Sequence, residues 1–149
     1  MSEQISTRII DTTDALYPQV YALREEILRK PIGLSLVDED LSDDERDNII
    51  IAEQDGEVLG CIMLKKTDDN SIIKFRQMAV KQHLQRSGVG RKIMSAAEEY
   101  AWQNGYDKIT LHARSSAEEF YKKQGYTTIS DVFSEVGIPH VIMEKQRPA

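Results

Sequence analysis

The sequence predicts an α/β fold of the mixed (α+β) kind: a central sheet that opens as an antiparallel meander, passes through a β-α-β unit and carries flanking helices. Three observations predict it. The runs Asn48 to Glu53 and Val58 to Leu64 flank Asp55-Gly56, a dipeptide suited to the type I′ turn that two twisted strands prefer. A third run, Ser71 to His83, follows the turn at Asp68-Asp69-Asn70 and extends the hairpin to a meander. A strand-turn-helix-strand passage then runs from Met78 to Ala113 with Gly88 and Gly90 at its turn, and a helical crossover of this kind leaves its two strands parallel. The length of 149 residues fits a single domain, 1–149, with one core.

Taken in order, Arg8-Ile9-Ile10 reads as a short first strand, and Asp11-Thr12-Thr13-Asp14 as a cluster of helix-capping residues. Leu16, Val20, Leu23, Ile27 and Leu28 then recur at helical spacing, so one amphipathic helix is expected up to about Arg29, with Pro18 in its first turn and Pro31 and Gly33 ending it. Seven of the ten residues from Asp38 to Asp47 are acidic, which reads as a solvated loop or short polar helix; the alternative is a mouth that attracts a cationic acceptor. After the meander, Val89, Ile93, Ala96, Ala97 and Tyr100 share one helical face that Asn104-Gly105 closes. Lys108 to Ala113 is a strand, Ser115 or Ser116 caps a short helix through Gln124, and Ile129 to Phe133 and His140 to Glu144 are the expected last strands.

Composition narrows the function. The net charge of -6 argues against nucleic acid as the main partner, because phosphate-backbone binding needs an extended basic face. No apolar run approaches the ~20 residues of a membrane span, and Met1-Ser2-Glu3-Gln4-Ile5 lacks a signal-peptide layout, so the cytoplasm is the expected compartment. The one cysteine, Cys61, lies in the apolar run Val58 to Leu64 and reads as core; the rival reading, a nucleophile, has no histidine near it in sequence.

Against that acidic background, Ile72 to Ala97 holds no acidic residue but does hold Lys74, Arg76, Lys81, Arg86, Arg91 and Lys92. Gly88 and Gly90 lie in this stretch, just where a helix would point its free N–H groups and positive dipole end back at the turn. A phosphate suits such a place. The alternative is an ordinary turn with a solvated basic face.

Gln85-Arg86-Ser87-Gly88-Val89-Gly90 matches the Gln/Arg-x-x-Gly-x-Gly/Ala motif of the GNAT superfamily of N-acetyltransferases, placed after Met78-Ala79-Val80 as that family places it. Ala117-Glu118-Glu119-Phe120-Tyr121, followed by Gly125-Tyr126, resembles the family's second signature. Leu111-His112-Ala113 and Gly137-Ile138-Pro139-His140 are similar to the ElaA-like branch. The resemblance implies acetyl-CoA as the acetyl-donating co-substrate. Its pyrophosphate would be held by backbone N–H groups of Arg86, Ser87, Gly88, Val89, Gly90 and Arg91, beside Gln85. It assigns Met78, Ala79 and Val80 to an irregular strand that meets the pantetheine arm and the thioester, with Ser116 and Tyr121 as further cofactor contacts.

The implied reaction is direct attack by a primary amine in a ternary complex, with no acyl-enzyme. Tyr121 takes the family's general-acid position at the CoA sulfur. An alkyl ammonium with a pKa of about 10 must lose a proton first, and Lys74-Phe75-Arg76-Gln77 lacks the carboxylate that some relatives carry there. His83, His112, His140 and Glu135 remain as bases, and Glu135 with His140, in Glu135-Val136-Gly137-Ile138-Pro139-His140, are the candidate pair to orient and deprotonate the acceptor. Arg114 departs from the Asn or Gln of many relatives. No metal site is expected, and the sequence leaves a homodimer open. The rival class is a non-catalytic acyl-CoA-binding module; a Rossmann or P-loop unit does not suit the meander ahead of the glycine turn.

Overall fold

The structure, a computed structural model, describes residues 4–149. Its elements run β1 (Ser6–Ile10), α1 (Tyr17–Arg24), β2 (Asn48–Gln54), β3 (Glu57–Lys66), β4 (Ile72–Val80), α2 (Val89–Gln103), β5 (Lys108–Arg114), α3 (Glu118–Lys123), β6 (Thr127–Thr128), β7 (Phe133–Glu135) and β8 (Ile138–Gln146). The strands form one mixed sheet in the order β1-β2-β3-β4-β5-β8-β6, with β7 paired to β8. Contacts divide the chain into two compact units interleaved in sequence. One runs to Lys65 and resumes over Gln77–Ala97; the other takes Lys66–Arg76 and Glu98–Ala149.

In the first unit β1, β2 and β3 are antiparallel, Ile9 opposite Ile50 and Ile50 opposite Ile62. Asp55 and Gly56, with φ of 53° and 82°, both lie in the left-handed region, as the type I′ turn requires. Ile49 and Ile51, two residues apart, turn to the same side and pack with Val20 and Leu23 of α1, together with Cys61, Met63 and Ala79. Gly60 is required by close approach: a Cβ there would stand 2.6 Å from Ile93 Cδ1 and 3.1 Å from the Ala79 carbonyl.

Three expectations for this unit need correction. The helix expected up to Arg29 is α only to Arg24, then a π turn over Glu25–Arg29 and a 3-10 turn over Lys30–Ile32, closed by Gly33 at φ 76°. Pro31 has no N–H to return to the carbonyl one α-turn back, so the ladder regroups around it. Asp11 and Asp14 do not cap α1; they accept from the Thr13 and Leu16 amides in turns ahead of it. The acidic segment is only partly a solvated loop. Ser42–Arg46 is a 3-10 turn, and Asp44 and Asp47 are buried.

In the second unit β5 lies between β4, parallel with Phe75 opposite Leu111, and β8, antiparallel with Leu111 opposite Met143. Ile109, Leu111 and Ala113 are buried, while Lys108, Thr110, His112 and Arg114 between them are half-buried on the other face. That alternation makes one face of β5 core and the other polar. The C-terminal strands differ from expectation. Ile129 to Phe133 is not one strand: β6 stops at Thr128, and β7 begins at Phe133. Between them the Ile129 amide donates to the Ile142 carbonyl and Ser130 Oγ accepts from the Ile142 amide, both at 2.8 Å, so a side chain replaces a ladder bond. β8 starts earlier than His140, because Val136 and Gly137, at φ 47° and 75°, form a two-residue turn that pairs Glu135 with Ile138.

Candidate functional site

In the first unit, the glycine turn follows directly from an irregular strand. Gln77 is left-handed in mid-strand (φ 57°), a conformation that breaks the pleat just ahead of Met78, Ala79 and Val80. Two contacts hold it. The Cys61 thiol lies 3.8 Å from the Gln77 carbonyl, and Arg24 Nε donates to Gln77 Oε1 at 3.3 Å. Arg24 in turn pairs with Asp44 at 2.9 Å, both buried. Burial pushes the Cys61 thiol up to about 12, against a smaller lowering by Arg24, so it stays protonated and reads as core.

β4 ends at Val80 rather than His83, and Gln82–Leu84 form a 3-10 turn. The Gln85 side-chain amide donates to the Val80 carbonyl at 3.2 Å and the Ser87 hydroxyl donates to the Leu84 carbonyl. These two motif side chains therefore shape the turn. Arg86 (φ 71°) and Gly88 (φ 94°) are left-handed, and the Lys92 amide makes the first helical bond, donating to the Gly88 carbonyl at 3.1 Å. The amides of Val89, Gly90 and Arg91 thus belong to the first turn of α2, where an α-helix provides no intrahelical acceptor, and that turn carries no acidic residue. Nothing lies within 4 Å of where a Gly88 Cβ would stand, so the space over the turn is open. Arg86 and Arg91 are exposed beside it, whereas Lys81 pairs with Glu57 at 2.9 Å and Lys92 donates to the Ile5 carbonyl. A small anion with a flexible tail fits these features: backbone donors, positive charge and an unobstructed approach. His83 lines a shallow cleft of about 370 Å³ in this unit with Glu26, Lys81 and Gln82.

In the second unit, Tyr121 on α3 is buried with its ring edge-on to Phe120 (5.1 Å) and Tyr126 (5.9 Å). Desolvation pushes its phenol up to about 12, so it carries its proton through the physiological range. Tyr126 is held higher still by burial and by Glu98, whose carboxylate accepts its hydroxyl at 2.8 Å. Neither Ser115 nor Ser116 caps α3 through its side chain; Ser116 is exposed, and Ser115 Oγ is buried with no hydrogen-bond partner among the described residues.

Three of the four candidate bases are in this unit, and two of them meet the third. His112 on β5, Glu135 on β7 and His140 on β8 share the polar face. His112 Nδ1 lies 2.8 Å from Glu135 Oε1, and His140 Nε2 lies 3.8 Å from Glu135 Oε2. Phe133 packs on both imidazoles, at 5.3 and 6.1 Å between ring centres. Burial raises the Glu135 pKa, but the His112 hydrogen bond and the charges of His112, His140 and Lys74 outweigh it and hold the carboxyl below its usual range. Sequence reasoning picked out Glu135 and His140 from their shared motif and left His112 as one histidine among several. Strand alternation puts His112 and Arg114 on one face of β5, but only the register that sets Arg114 opposite His140 brings that face to the rest of the cluster. Sequence reasoning missed the Arg24–Asp44 pair entirely.

A family model described as an acetyltransferase (GNAT) domain matches residues 19–147. The N-acetyltransferase YjcF of Bacillus subtilis, itself uncharacterised, is 30% identical over 139 residues, covering 92% of this chain and 97% of YjcF. ElaA of Escherichia coli is 29% identical over 109 residues, 72% of this chain and 71% of ElaA. The ElaA crystal structure superposes with a TM-score of 0.84 at 21% identity over 96% of this chain and 100% of that one. A GNAT acetyltransferase from Elizabethkingia anophelis, solved with acetyl-CoA bound, superposes at 0.71 with 17% identity over 98% of this chain and 100% of that one. The chain spans about half the length of the first curated relatives it matches. No helix among the described residues is long and apolar enough to cross a membrane.

Proposed function

The chain belongs to the GNAT acetyltransferase family, and from that premise we propose that it transfers an acetyl group from acetyl-CoA to a primary amine by direct attack within a ternary complex. The observation that carries this reading is the turn from Gln85 to Arg91. Its motif side chains are spent on shaping the backbone, its helix start offers amides to an anion, and Gly88 leaves the approach open. A family match that runs through both units supports reading 1–149 as one acetyltransferase domain.

The amides from Arg86 to Arg91 would hold the pyrophosphate, and the backbone at Met78, Ala79 and Val80, freed from regular pairing by the left-handed Gln77, would hold the pantetheine arm and the thioester carbonyl. Ser116 is assigned to the cofactor as well. Bound acetyl-CoA supplies an activated acetyl group on sulfur. The amine nitrogen forms the new C–N bond as the C–S bond breaks, and Tyr121 gives its phenol proton to the departing thiolate. Burial raises the Tyr121 pKa, so the phenol keeps its proton and can offer a hydrogen bond to the sulfur as negative charge develops there. Glu135 and His140 are assigned to the acceptor: the carboxylate attracts the ammonium and the imidazole takes its proton. A single, buried cysteine, Cys61, agrees with a cytoplasmic setting.

The test is CoA release from acetyl-CoA against a broad panel of amines, with thermal denaturation run in parallel. Turnover with at least one amine supports the enzyme. A rise in melting temperature with acetyl-CoA and no release with any amine would instead favour a non-catalytic acyl-CoA-binding module.

A further inference from the structure

On the polar face of the second unit's sheet a carboxylate oxygen of Glu135 and a ring nitrogen of His140 face each other across 3.8 Å, and while the imidazole is neutral both are hydrogen-bond acceptors. His140 Nδ1 lies 2.8 Å from the Ile138 carbonyl, which can only accept, so Nδ1 carries the hydrogen and the neutral ring has its lone pair on Nε2. That Nε2 faces Glu135 Oε2 across 3.8 Å. The Glu135 carboxylate is also acceptor-only, so His112 Nδ1, 2.8 Å from Oε1, carries the hydrogen of that bond. One oxygen of Glu135 is therefore committed to His112, and the other points at a nitrogen lone pair.

Two acceptors so placed repel unless an N–H donor enters between them or His140 takes a proton of its own. A primary ammonium carries three N–H bonds and satisfies both acceptors at once. We propose that His112 is a positioning residue that fixes Glu135 by one oxygen, and that Glu135 Oε2 with His140 Nε2 forms a two-acceptor slot for the primary ammonium of the acceptor. The assignment of that ammonium as the acetyl acceptor rests on the acetyltransferase reading above. In the slot one N–H proton passes to His140 Nε2, the electron pair stays on the amine nitrogen, and the imidazolium formed is stabilised by the facing Glu135 carboxylate. The proton then leaves to water by way of Glu135, which is 44% exposed where His140 is 5%.

The other charged groups on this face are Lys74 on β4, Arg114 on β5 opposite His140, and the Lys108–Glu144 pair at 3.7 Å further along. A tertiary ammonium has one N–H and fills one acceptor; tetramethylammonium fills neither. The slot therefore selects for primary over tertiary amines by hydrogen-bond count, in addition to charge.

Long-range proton–nitrogen NMR of the wild-type protein reads the tautomers directly. Both His112 and His140 are expected as Nδ1–H in the neutral form, and titration with n-propylammonium should move the His140 Nε2 resonance while tetramethylammonium should not. His112→Phe keeps a ring beside Phe133 but removes the donor, and should raise the KM for a primary amine by about tenfold with acetyl-CoA affinity kept. His112→Asn returns a donor near the Nδ1 position and should recover most of that loss. A His112 that carries its hydrogen on Nε2, an n-propylammonium titration that leaves His140 unmoved, or a His112→Phe protein with the wild-type amine KM would each overturn the inference. The NMR arms need no turnover. Ammonium binding in the slot with no acetyl transfer to any amine would sink the enzyme reading and leave the slot standing.

Discussion

The buried Arg24–Asp44 pair of the first unit and the His112–Glu135–His140 cluster of the second put charge to opposite uses. Arg24 and Asp44 are 1% and 4% exposed and lie 2.9 Å apart, and Arg24 extends a further bond to Gln77. Those groups are spent on one another. Glu135 is 44% and His112 27% exposed, and an acceptor of the carboxylate still faces a lone pair. The first arrangement is a brace, since its removal leaves an uncompensated charge in a dry site; the second can take a ligand, because its satisfaction is incomplete and water can reach it. Changes to spent groups should therefore register as lost stability, and changes to groups with remaining capacity as lost binding or turnover at nearly constant stability.

The largest effect is expected from the brace. Asp44→Ala should cost about 3–5 kcal/mol and lower the melting temperature by roughly 10 °C or more, because Arg24 is left buried without its partner. Replacing both, as Arg24→Met with Asp44→Leu, should recover much of that in thermal denaturation. If the single variant melts with the wild type, the pair is not a brace and the contrast fails.

Tyr121→Phe comes next. It preserves the ring packing on Phe120 and Tyr126 and should leave the melting temperature nearly unchanged while kcat drops by about a hundredfold. Single-turnover kinetics with acetyl-CoA check it. An unchanged chemical rate would remove Tyr121 from the mechanism.

Gly88→Val should weaken acetyl-CoA by about tenfold or more, because φ of 94° suits glycine and the β-branched side chain would both strain the turn and fill the open approach. The comparison to make is the rise in melting temperature on adding acetyl-CoA, against the variant's own baseline. A full wild-type rise would show that the turn is not where the cofactor binds.

The smallest effect is on stability at Glu135. Its pKa is held below 4.5 in the folded chain, so the stability it contributes is present above pH about 4.5 and is lost as pH falls through the lower folded value. Because the group is more than a third exposed, the contribution should stay below about 1 kcal/mol. Glu135→Gln should flatten that part of the stability curve between wild type and variant, measured by denaturant titration at each pH. A loss as large as that of Asp44→Ala would make Glu135 a second brace and erase the distinction.

The sequence by itself determined the elements whose signals are local. Asp55-Gly56 specifies its turn because both residues must be left-handed, the stripe from Val89 to Tyr100 specifies a helix because its spacing matches the helical period, and the Gln85 to Gly90 motif specifies the turn because its side chains bond within a few residues of themselves. Where a local rule met a local conflict the reading blurred, as when Pro31 split the first helix into α, π and 3-10 turns. Only the tertiary structure decided which charges are buried and with whom. Asp44 looks like its acidic neighbours in sequence, yet it alone is drawn into the Arg24 pair, twenty residues away. His112 and Glu135 are 23 residues apart, and they meet because the registers of β5, β7 and β8 bring their side chains to one face. Register is set by the sum of many strand contacts, and a shift of one residue would turn either side chain to the opposite face; no local pattern around His112 or Asp44 carries that information.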